Sequence, residues 1–187
     1  EDYRGKISHF EHLAQTCAYQ CESALKKRGL RALVTSRAKR LDSLASKVEN
    51  RAQEKNYQSI EEIYADIIDL AGVRIALFFP GDREEVDRFI HNHFNVDNVK
   101  DFPEALSHPG AYQKRFLGYV GRHYRLYLKP ETLADEEQHL ANDVIEVQVG
   151  SVLMHAWAEV EHDLVYKSTG GFLSHDEYAI LDELNGL

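Results

Sequence analysis

One uninterrupted apolar segment constrains the fold of this chain more than any other feature. Residues 73–79 read Val-Arg-Ile-Ala-Leu-Phe-Phe, with Arg74 as the only charged residue, and the turn formers Pro80 and Gly81 follow. A strand that is apolar on both of its faces belongs inside a sheet that is covered on both sides. The segment is therefore predicted to be a buried central strand.

Helical and strand patterns alternate around this segment. Apolar residues spaced three and four apart predict helices over residues 3–27, 41–53, 83–94 and 152–167, one beginning at Ser59 and one beginning near His175. Further strands are predicted at residues 32–35, 123–129 and 144–149, whereas residues 96–122 show no clear pattern. Strands separated both by helices and by hairpin-like returns indicate an α/β (α+β) fold, a mixed β-sheet flanked by helices.

Length and charge narrow the class of protein. The 187 residues, of which 43% are hydrophobic, suit one domain with one core. A formal net charge of −9 opposes general binding to nucleic acid or anionic lipid. The positive charge is concentrated in residues 26–51, as a local anion site or as a solvated helix face. No run of about eighteen apolar residues is present, so we expect a cytoplasmic protein without membrane contact.

Two acidic residues stand where strands begin. Asp69 precedes the buried strand, where a carboxylate is placed to hold Mg²⁺ at a phosphate site or simply ends a helix. Alternation in residues 144–149 puts Glu146 and Gln148 on one face, either a functional face or an exposed edge. If Asp69 and Glu146 meet on neighbouring strands, they form a two-carboxylate site for Mg²⁺ and a phosphoryl group.

A glycine-containing loop enters the strand at residue 123. Residues 118–124 read Gly-Tyr-Val-Gly-Arg-His-Tyr. The ring of Tyr119 is able to stack on a base with His123 nearby, although a core tyrosine and a surface histidine explain the pattern as well. On the helix of residues 152–167, His155, Glu159 and His162 share one face. We interpret that face as the polar side of a helix packing through Leu153, Trp157, Val160 and Leu164, rather than as a zinc site.

Taken together, these segments resemble the RelA/SpoT synthetase family, including the small alarmone synthetases, over roughly residues 30–170. The matching elements are Val-Thr-Ser-Arg-Ala-Lys at 34–39, Asp-Leu-Ala-Gly-Val-Arg-Ile at 69–75, Glu-Val-Gln at 146–148 and the helix of residues 154–167. The resemblance implies a nucleotidyltransferase-like synthetase fold and one synthetase domain over residues 1–187, with no hydrolase domain. An apolar stripe near Leu187 without a C-cap predicts that more helix follows.

The resemblance also implies roles for individual residues. Asp69 and Glu146 would be catalytic and would ligate Mg²⁺, and Glu146 would also be the base for the attacking hydroxyl. The implied ATP-binding residues are Arg37, Lys39, Ser43, Lys47, Arg51 and Arg74. The implied acceptor-binding residues are Arg115, Tyr119, His123 and Gln148.

The implied activity is transfer of the β,γ-diphosphate of ATP to the ribose 3′-hydroxyl of GDP or GTP, which makes (p)ppGpp. Two alternatives remain open: the same chemistry on adenine nucleotides or on the 3′ end of tRNA, and a catalytically silent purine-nucleotide sensor. Assembly into a homo-oligomer through terminal helices is also implied.

The acceptor side departs from the family pattern at two places. The family loop Lys-Pro-Asn-Gly-Tyr-Arg-Ser-x-His reads Arg-Phe-Leu-Gly-Tyr-Val-Gly-Arg-His at residues 115–123, and the arginine that follows Glu-x-Gln-x is replaced by Gly150. A cation near the acceptor phosphates is thereby lost, and Lys114, Arg115 and Arg122 are the candidates to replace it. The departures affect positions that would bind the acceptor, so they bear on the identity of the acceptor more than on the reaction type. The positions that would bind ATP match the family pattern.

Overall fold

The computed structural model describes residues 2–102, 119–166 and 174–185. The described helices are α1 (Asp2–Lys27), α2 (Leu41–Lys55), α3 (Ile60–Asp66), α4 (Arg83–His93), α5 (Val152–Tyr166) and α6 (His175–Asn185). The described strands are β1 (Ala32–Ala38), β2 (Ala71–Leu77), β3 (Asn95–Phe102), β4 (Gly121–Tyr127) and β5 (Ile145–Ser151). Short 3₁₀ segments lie at Pro80–Asp82, Pro130–Thr132 and Asp135–Asn142. No helix in these ranges is both long and apolar enough to cross a membrane.

The five strands form one mixed sheet in the order β1-β2-β5-β4-β3. β2 and β5 pair in parallel, whereas the pairs β1–β2, β5–β4 and β4–β3 are antiparallel. The predicted mixed sheet with flanking helices is therefore confirmed. β2 is an inner strand, as predicted, but it ends at Leu77, and the side chains of Phe78 and Phe79 are 45% and 55% exposed.

One face of the sheet carries the hydrophobic core. Alternation directs Val73, Ile75, Val147 and Val149 to this face, where all four are buried. α1 supplies the opposing layer through residues at helical spacing, among them Leu13, Ala14, Cys17 and Cys21, which are fully buried. Because this face is closed by apolar packing, the polar side chains of the same strands must point to the other face.

Two elements differ from the sequence predictions. β3 lies in the stretch without a clear pattern, because it is an edge strand whose residues are mostly exposed and whose register shifts between Val96 and Asn98. The predicted apolar side of α5 is wrong for Leu153 and Val160, which are 62% and 47% exposed. Trp157 is buried as expected, but His155 is buried with it, at 5% exposure. The side chain of Leu164 lies outside the described residues.

A polar network ties α4 to β3 and β4. The hydroxyl of the fully buried Tyr124 donates to Asp87 Oδ1 at 2.7 Å, and Arg122 Nη1 donates to the same oxygen at 2.9 Å. Arg122 also pairs with Asp101, at 2.7 Å from Nε. Arg122 lies opposite Val149 in register, on the core face. Arg122, one of the three candidates to replace the missing acceptor cation, therefore lies on the face away from the polar side chains of β5.

Replacement of Asp87 by alanine should destabilise the fold, because it leaves the hydroxyl of the buried Tyr124 and the Nη1 atom of Arg122 without their acceptor. We expect the free energy of unfolding to fall by about 1–3 kcal/mol, measured by urea denaturation. Glu49→Ala, which removes an exposed carboxylate from α2, is the control and should change it by less than about 0.5 kcal/mol. Equal losses in both variants would contradict a structural role for the network.

Candidate active site

The polar face of the sheet is organised by strand register. Glu146 lies opposite Gly72 on β2 and Arg125 on β4, and Gln148 lies opposite Arg74 and His123. Directly paired residues point to the same side of a sheet. The predicted alternation of β5 is thus confirmed, and its polar side chains face away from the core.

A cavity of about 280 Å³ opens on this face. Its described lining residues are Lys47, Arg51, Asp66, Ile68, Asp69, Asn98, Lys100, Phe102, His123, Tyr124, Arg125 and Glu146. Asp69 and Glu146, predicted to converge from neighbouring strands, both line it. The cavity combines carboxylates at its centre with cations on both sides, which suits a phosphorylated ligand.

Asp69 is held by two lysines from different elements. Lys39, at the end of β1, donates to one carboxylate oxygen at 2.6 Å, and Lys47, on α2, donates to the other at 2.9 Å. Burial would raise the pKa of Asp69, but the hydrogen bonds and charges of the two ammonium groups outweigh it and the pKa is lowered. Asp69 is therefore ionised at neutral pH, between two cations that were predicted to bind ATP.

A second carboxylate beside Asp69, that of Asp66, is also held by cations. Arg51 Nη1 donates to Asp66 Oδ2 at 2.6 Å, and Lys55 Nζ lies 3.1 Å from Asp66 Oδ1. The hydroxyl of Tyr57 donates to the same carboxylate, and these hydrogen bonds lower the pKa of Asp66. Asp66 was missed by the sequence analysis, because nothing in its local pattern separates it from an ordinary helix-end carboxylate.

Glu146 is oriented by two neighbours on the polar face. The Gln148 amide donates to Oε2 at 2.6 Å, and His123 Nδ1 lies 3.5 Å from Oε1. Burial and the nearby charge of Asp69 act to raise the pKa of Glu146, whereas His123 and Gln148 lower it and prevail. The carboxylate is thus ionised and fixed in direction, as a metal ligand or a proton acceptor requires.

An aromatic cluster lies beyond Glu146. The ring centroid of Tyr119 lies 5.8 Å from those of His123 and His155, and Phe102 lies 4.4 Å from His123. A Cβ at position 121 would collide with the Tyr119 ring, so glycine there permits its placement. Burial and the charge of Arg74 lower the pKa of His155 to about 4. His155, interpreted from sequence as part of a polar helix face, is thus a neutral member of this cluster.

The other site residues predicted from the sequence lie on the sheet, on α2 or outside the described residues. Arg37 and Arg74 share the polar face of the sheet, and Arg74 Nη1 donates to Glu159 Oε1 at 2.7 Å. Ser43 is exposed on α2 and does not line the cavity. Arg115 and Lys114 lie outside the described residues. The described part of the chain shows no group of three or more His, Cys, Asp or Glu side chains suited to a metal.

Several cavity residues were missed because β3 was missed. Asn98, Lys100 and Phe102 reach the cavity from that strand. Arg125 was also missed, although it reaches the cavity from β4, which was predicted. The spacing of two residues in Asn98, Lys100 and Phe102 is the signal that was available. It was obscured by the charged residues that interrupt the segment.

Asp69→Asn should weaken the fold in a pH-dependent way. Because the pKa of Asp69 is lowered in the folded chain from 3.8, its ionised form contributes stability above that pH. The contribution is lost as the pH falls through the folded pKa. We expect the variant to lose about 1–3 kcal/mol of unfolding free energy at pH 7 and to approach the wild type in acid, measured by urea denaturation at several pH values. Asp135→Asn, at an exposed position, is the control. A pH-independent difference would contradict the ion-pair assignment.

Comparisons with known proteins agree with this geometry. Residues 36–171 match a region found in RelA / SpoT proteins. The GTP pyrophosphokinase YwaC of Bacillus subtilis (strain 168) is 26% identical over 134 residues, which are 71% of this chain and 57% of YwaC. The matched segment thus spans less than two thirds of that relative.

Solved structures show the same fold at lower identity. Small alarmone synthetase 1 from Bacillus subtilis is 18% identical, with a TM-score of 0.73, and the alignment covers 99% of this chain and 89% of that one. The same synthetase bound to its product pppGpp is 19% identical, with a TM-score of 0.62 and coverage of 99% and 86%. Because the family region spans most of the sequence, the chain belongs to the RelA/SpoT family.

Proposed function

We propose that this protein is an ATP-dependent pyrophosphokinase that transfers the β,γ-diphosphate of ATP to the ribose 3′-hydroxyl of GDP or GTP. The products would be AMP and ppGpp or pppGpp. The observation that carries the proposal is the presence of Asp69 and Glu146 in one cavity, with lysines on the side of β1 and α2. Support comes from the names of the relatives, a GTP pyrophosphokinase and a synthetase bound to pppGpp. A cytoplasmic location is part of the proposal.

The ATP side is the wall formed by β1 and α2. The ammonium groups of Lys39 and Lys47 lie in this region, where both donate hydrogen bonds to Asp69. Arg51 is held nearby by its hydrogen bond to Asp66. A triphosphate offers these cations several charged oxygens, and charge-assisted hydrogen bonds are the strongest available to them. In the proposed complex, the two lysines would contact phosphate oxygens.

The two carboxylates suit Mg²⁺. This ion is commonly bound through one or two carboxylates together with substrate phosphates and water, rather than by a complete protein cage. Asp69 and Glu146 provide that donor set. The negative charge of Asp69 opposes ionisation of Glu146, and a cation bound between them would relieve this repulsion. When bound, Mg²⁺ would neutralise charge on the transferring diphosphate.

Glu146 is the proposed proton acceptor. The acceptor 3′-oxygen forms a bond to the β-phosphorus as the bond from that phosphorus to the bridging oxygen of the α-phosphate breaks. AMP leaves with the bridging oxygen, and the hydroxyl proton passes to Glu146. The carboxylate has a lowered pKa and is a weak base, so proton transfer follows the start of bond formation, as a loose transition state permits. Gln148 and His123 hold the carboxylate in direction for this step.

The acceptor base is proposed to lie against Tyr119. The neighbouring His123, Phe102 and His155 complete an aromatic surface on which a purine can stack. Stacking alone does not separate guanine from adenine, because each has a π-face. Adenine nucleotides and the 3′ end of tRNA therefore belong in any test of acceptor choice.

Substitution of either carboxylate should abolish transfer. The wild type is incubated with labelled ATP, Mg²⁺ and one acceptor at a time, namely GDP, GTP, ADP or tRNA, and products are separated by chromatography. We expect a 3′-diphosphate product with GDP or GTP, and a rate lower by about 100-fold or more in Asp69→Asn and Glu146→Gln. Glu131→Gln, at an exposed position, should retain the wild-type rate. Undiminished product in the Glu146 variant would contradict its assigned role, and absence of product from the wild type with every acceptor would contradict the enzyme.

A further inference from the structure

One arginine faces the cavity with its charge incompletely balanced. Arg125, on β4, lies opposite Glu146 on one side and Asn98 on the other, and all three line the cavity. Its Nε atom is shielded from solvent and has no hydrogen-bond partner among the described residues. A carboxylate oxygen of Asp97 lies 4.0 Å from Nη1, which is beyond hydrogen-bond distance. Although the Arg125 side chain is 39% exposed, a shielded guanidinium nitrogen without an acceptor is costly, and an anionic ligand would supply that acceptor.

The other cavity cations have close partners. Lys47 lies 2.9 Å from Asp69, and Arg51 lies 2.6 Å from Asp66. Lys100, which pairs with His123 across β3 and β4, lies over the ring of Phe102 at 4.9 Å. Arg125 thus differs from the residues on the ATP side, whose carboxylate partners are in place.

Strand order separates Arg125 from the ATP side. β5 lies between β2 and β4, so Glu146 stands between Asp69 with its two lysines and Arg125. Neighbouring strands are about 4.8 Å apart, which puts β1 and β4 roughly 14 Å apart on the same face. A donor held by Lys39 and Lys47 and an acceptor that attacks beside Glu146 therefore approach from opposite sides. Arg125 is on the acceptor side.

At the far end of the acceptor side, the described cations are already paired. Arg74 and Arg83, whose charges act on Tyr119, lie 2.7 Å from Glu159 and Asp101. Position 150, where the family has an arginine, is glycine, and His155 Nε2 lies 3.1 Å from where a Cβ of residue 150 would be. The ring of His155 thus occupies space beside Gly150, and its pKa of about 4 keeps it neutral at pH 7. Tyr119 and Phe102 are uncharged, so the described part of this end suits a base rather than a phosphate.

We propose that Arg125 binds the 5′-phosphate chain of the acceptor nucleotide and thereby makes a nucleoside diphosphate or triphosphate preferred over the nucleoside. The inference rests on the proposed function. His123 and Arg125 are two residues apart on one strand, a separation of roughly 7 Å, so the aromatic cluster and the guanidinium contact different parts of one nucleotide. Arginine suits this role, because its planar fork can donate two parallel hydrogen bonds to a phosphate.

The test measures acceptor binding without turnover. Binding of GDP, GMP and guanosine is measured by calorimetry in the presence of Mg²⁺ and a non-hydrolysable ATP analogue, for the wild type, Arg125→Gln and Arg125→Lys. We expect Arg125→Gln to weaken GDP binding by about 10- to 100-fold and to change the affinity for guanosine and for the ATP analogue by less than twofold. Arg125→Lys should recover part of the loss. Arg88→Gln on α4, at a side chain that is 71% exposed, is the matched control, and thermal unfolding verifies that all variants fold.

The outcomes separate the role of Arg125 from the proposed function. Equal weakening of GDP and guanosine would overturn the inference, since Arg125 would then support the pocket rather than the phosphates. Selective weakening of the ATP analogue would overturn it as well, by placing Arg125 on the donor side. The series ADP, AMP and adenosine is measured in parallel. Binding of adenine but not guanine nucleotides would contradict the guanine acceptor, and an Arg125-dependent preference for ADP over adenosine would still support the inference. Failure of every nucleotide to bind the wild type would overturn both the role of Arg125 and the proposed function.

Discussion

The parallel pairing of β2 with β5 is the constraint on which the site depends. It sets Gly72 beside Glu146, and so brings Glu146 to the mouth of the strand that Asp69 precedes. The register is fixed from the other face of the sheet, where Val73, Ile75, Val147 and Val149 must all meet the core. A slip of one residue would turn these side chains outward and the carboxylate inward. Apolar packing therefore determines the position of Glu146, although none of the packed residues contacts the cavity.

The described charges around the cavity are largely paired, with Arg125 as the exception. Asp69 is matched by Lys39 and Lys47, Asp66 by Arg51 and Lys55, and Arg74 by Glu159. These pairs allow ionised groups to remain partly buried, since each would otherwise lose hydration without compensation. A chain with a net charge of −9 can thus keep a cluster of cations around one cavity. General attraction to polyanions, which an unbalanced basic surface would produce, is avoided.

The sequence was informative where residue periodicity reflects burial. The apolar run of β2, the alternation of Glu146 and Gln148, and the helical spacing of α1 each follow from contact with the core, and each was predicted. β3 was not, because an edge strand exposed on most of its length carries little apolar pattern. The direction of Arg125 was overlooked, although the pattern of β4 predicts it. The buried Tyr124 and Leu126 alternate with His123 and Arg125, so alternation alone puts Arg125 opposite the core and Arg122 on the core face. His155 was misread because nothing in the local pattern marks it as buried; its Nε2 lies 3.1 Å from where a Cβ of residue 150 would be.

If ATP binds as proposed, the arrangement around Asp69 also limits how it can enter. Lys39 and Lys47 cannot both turn to phosphate oxygens while Asp69 remains ionised without a cation, because its side chain is only 21% exposed and an uncompensated buried charge is costly. A further cation at Asp69 would be repelled by both ammonium groups while they stay within 3 Å of it. In the proposed complex the two exchanges would therefore be coupled, and a triphosphate that arrives with its own cation would satisfy both at once. The ion pairs that stabilise the free chain would thus favour a metal-loaded nucleotide over either component alone.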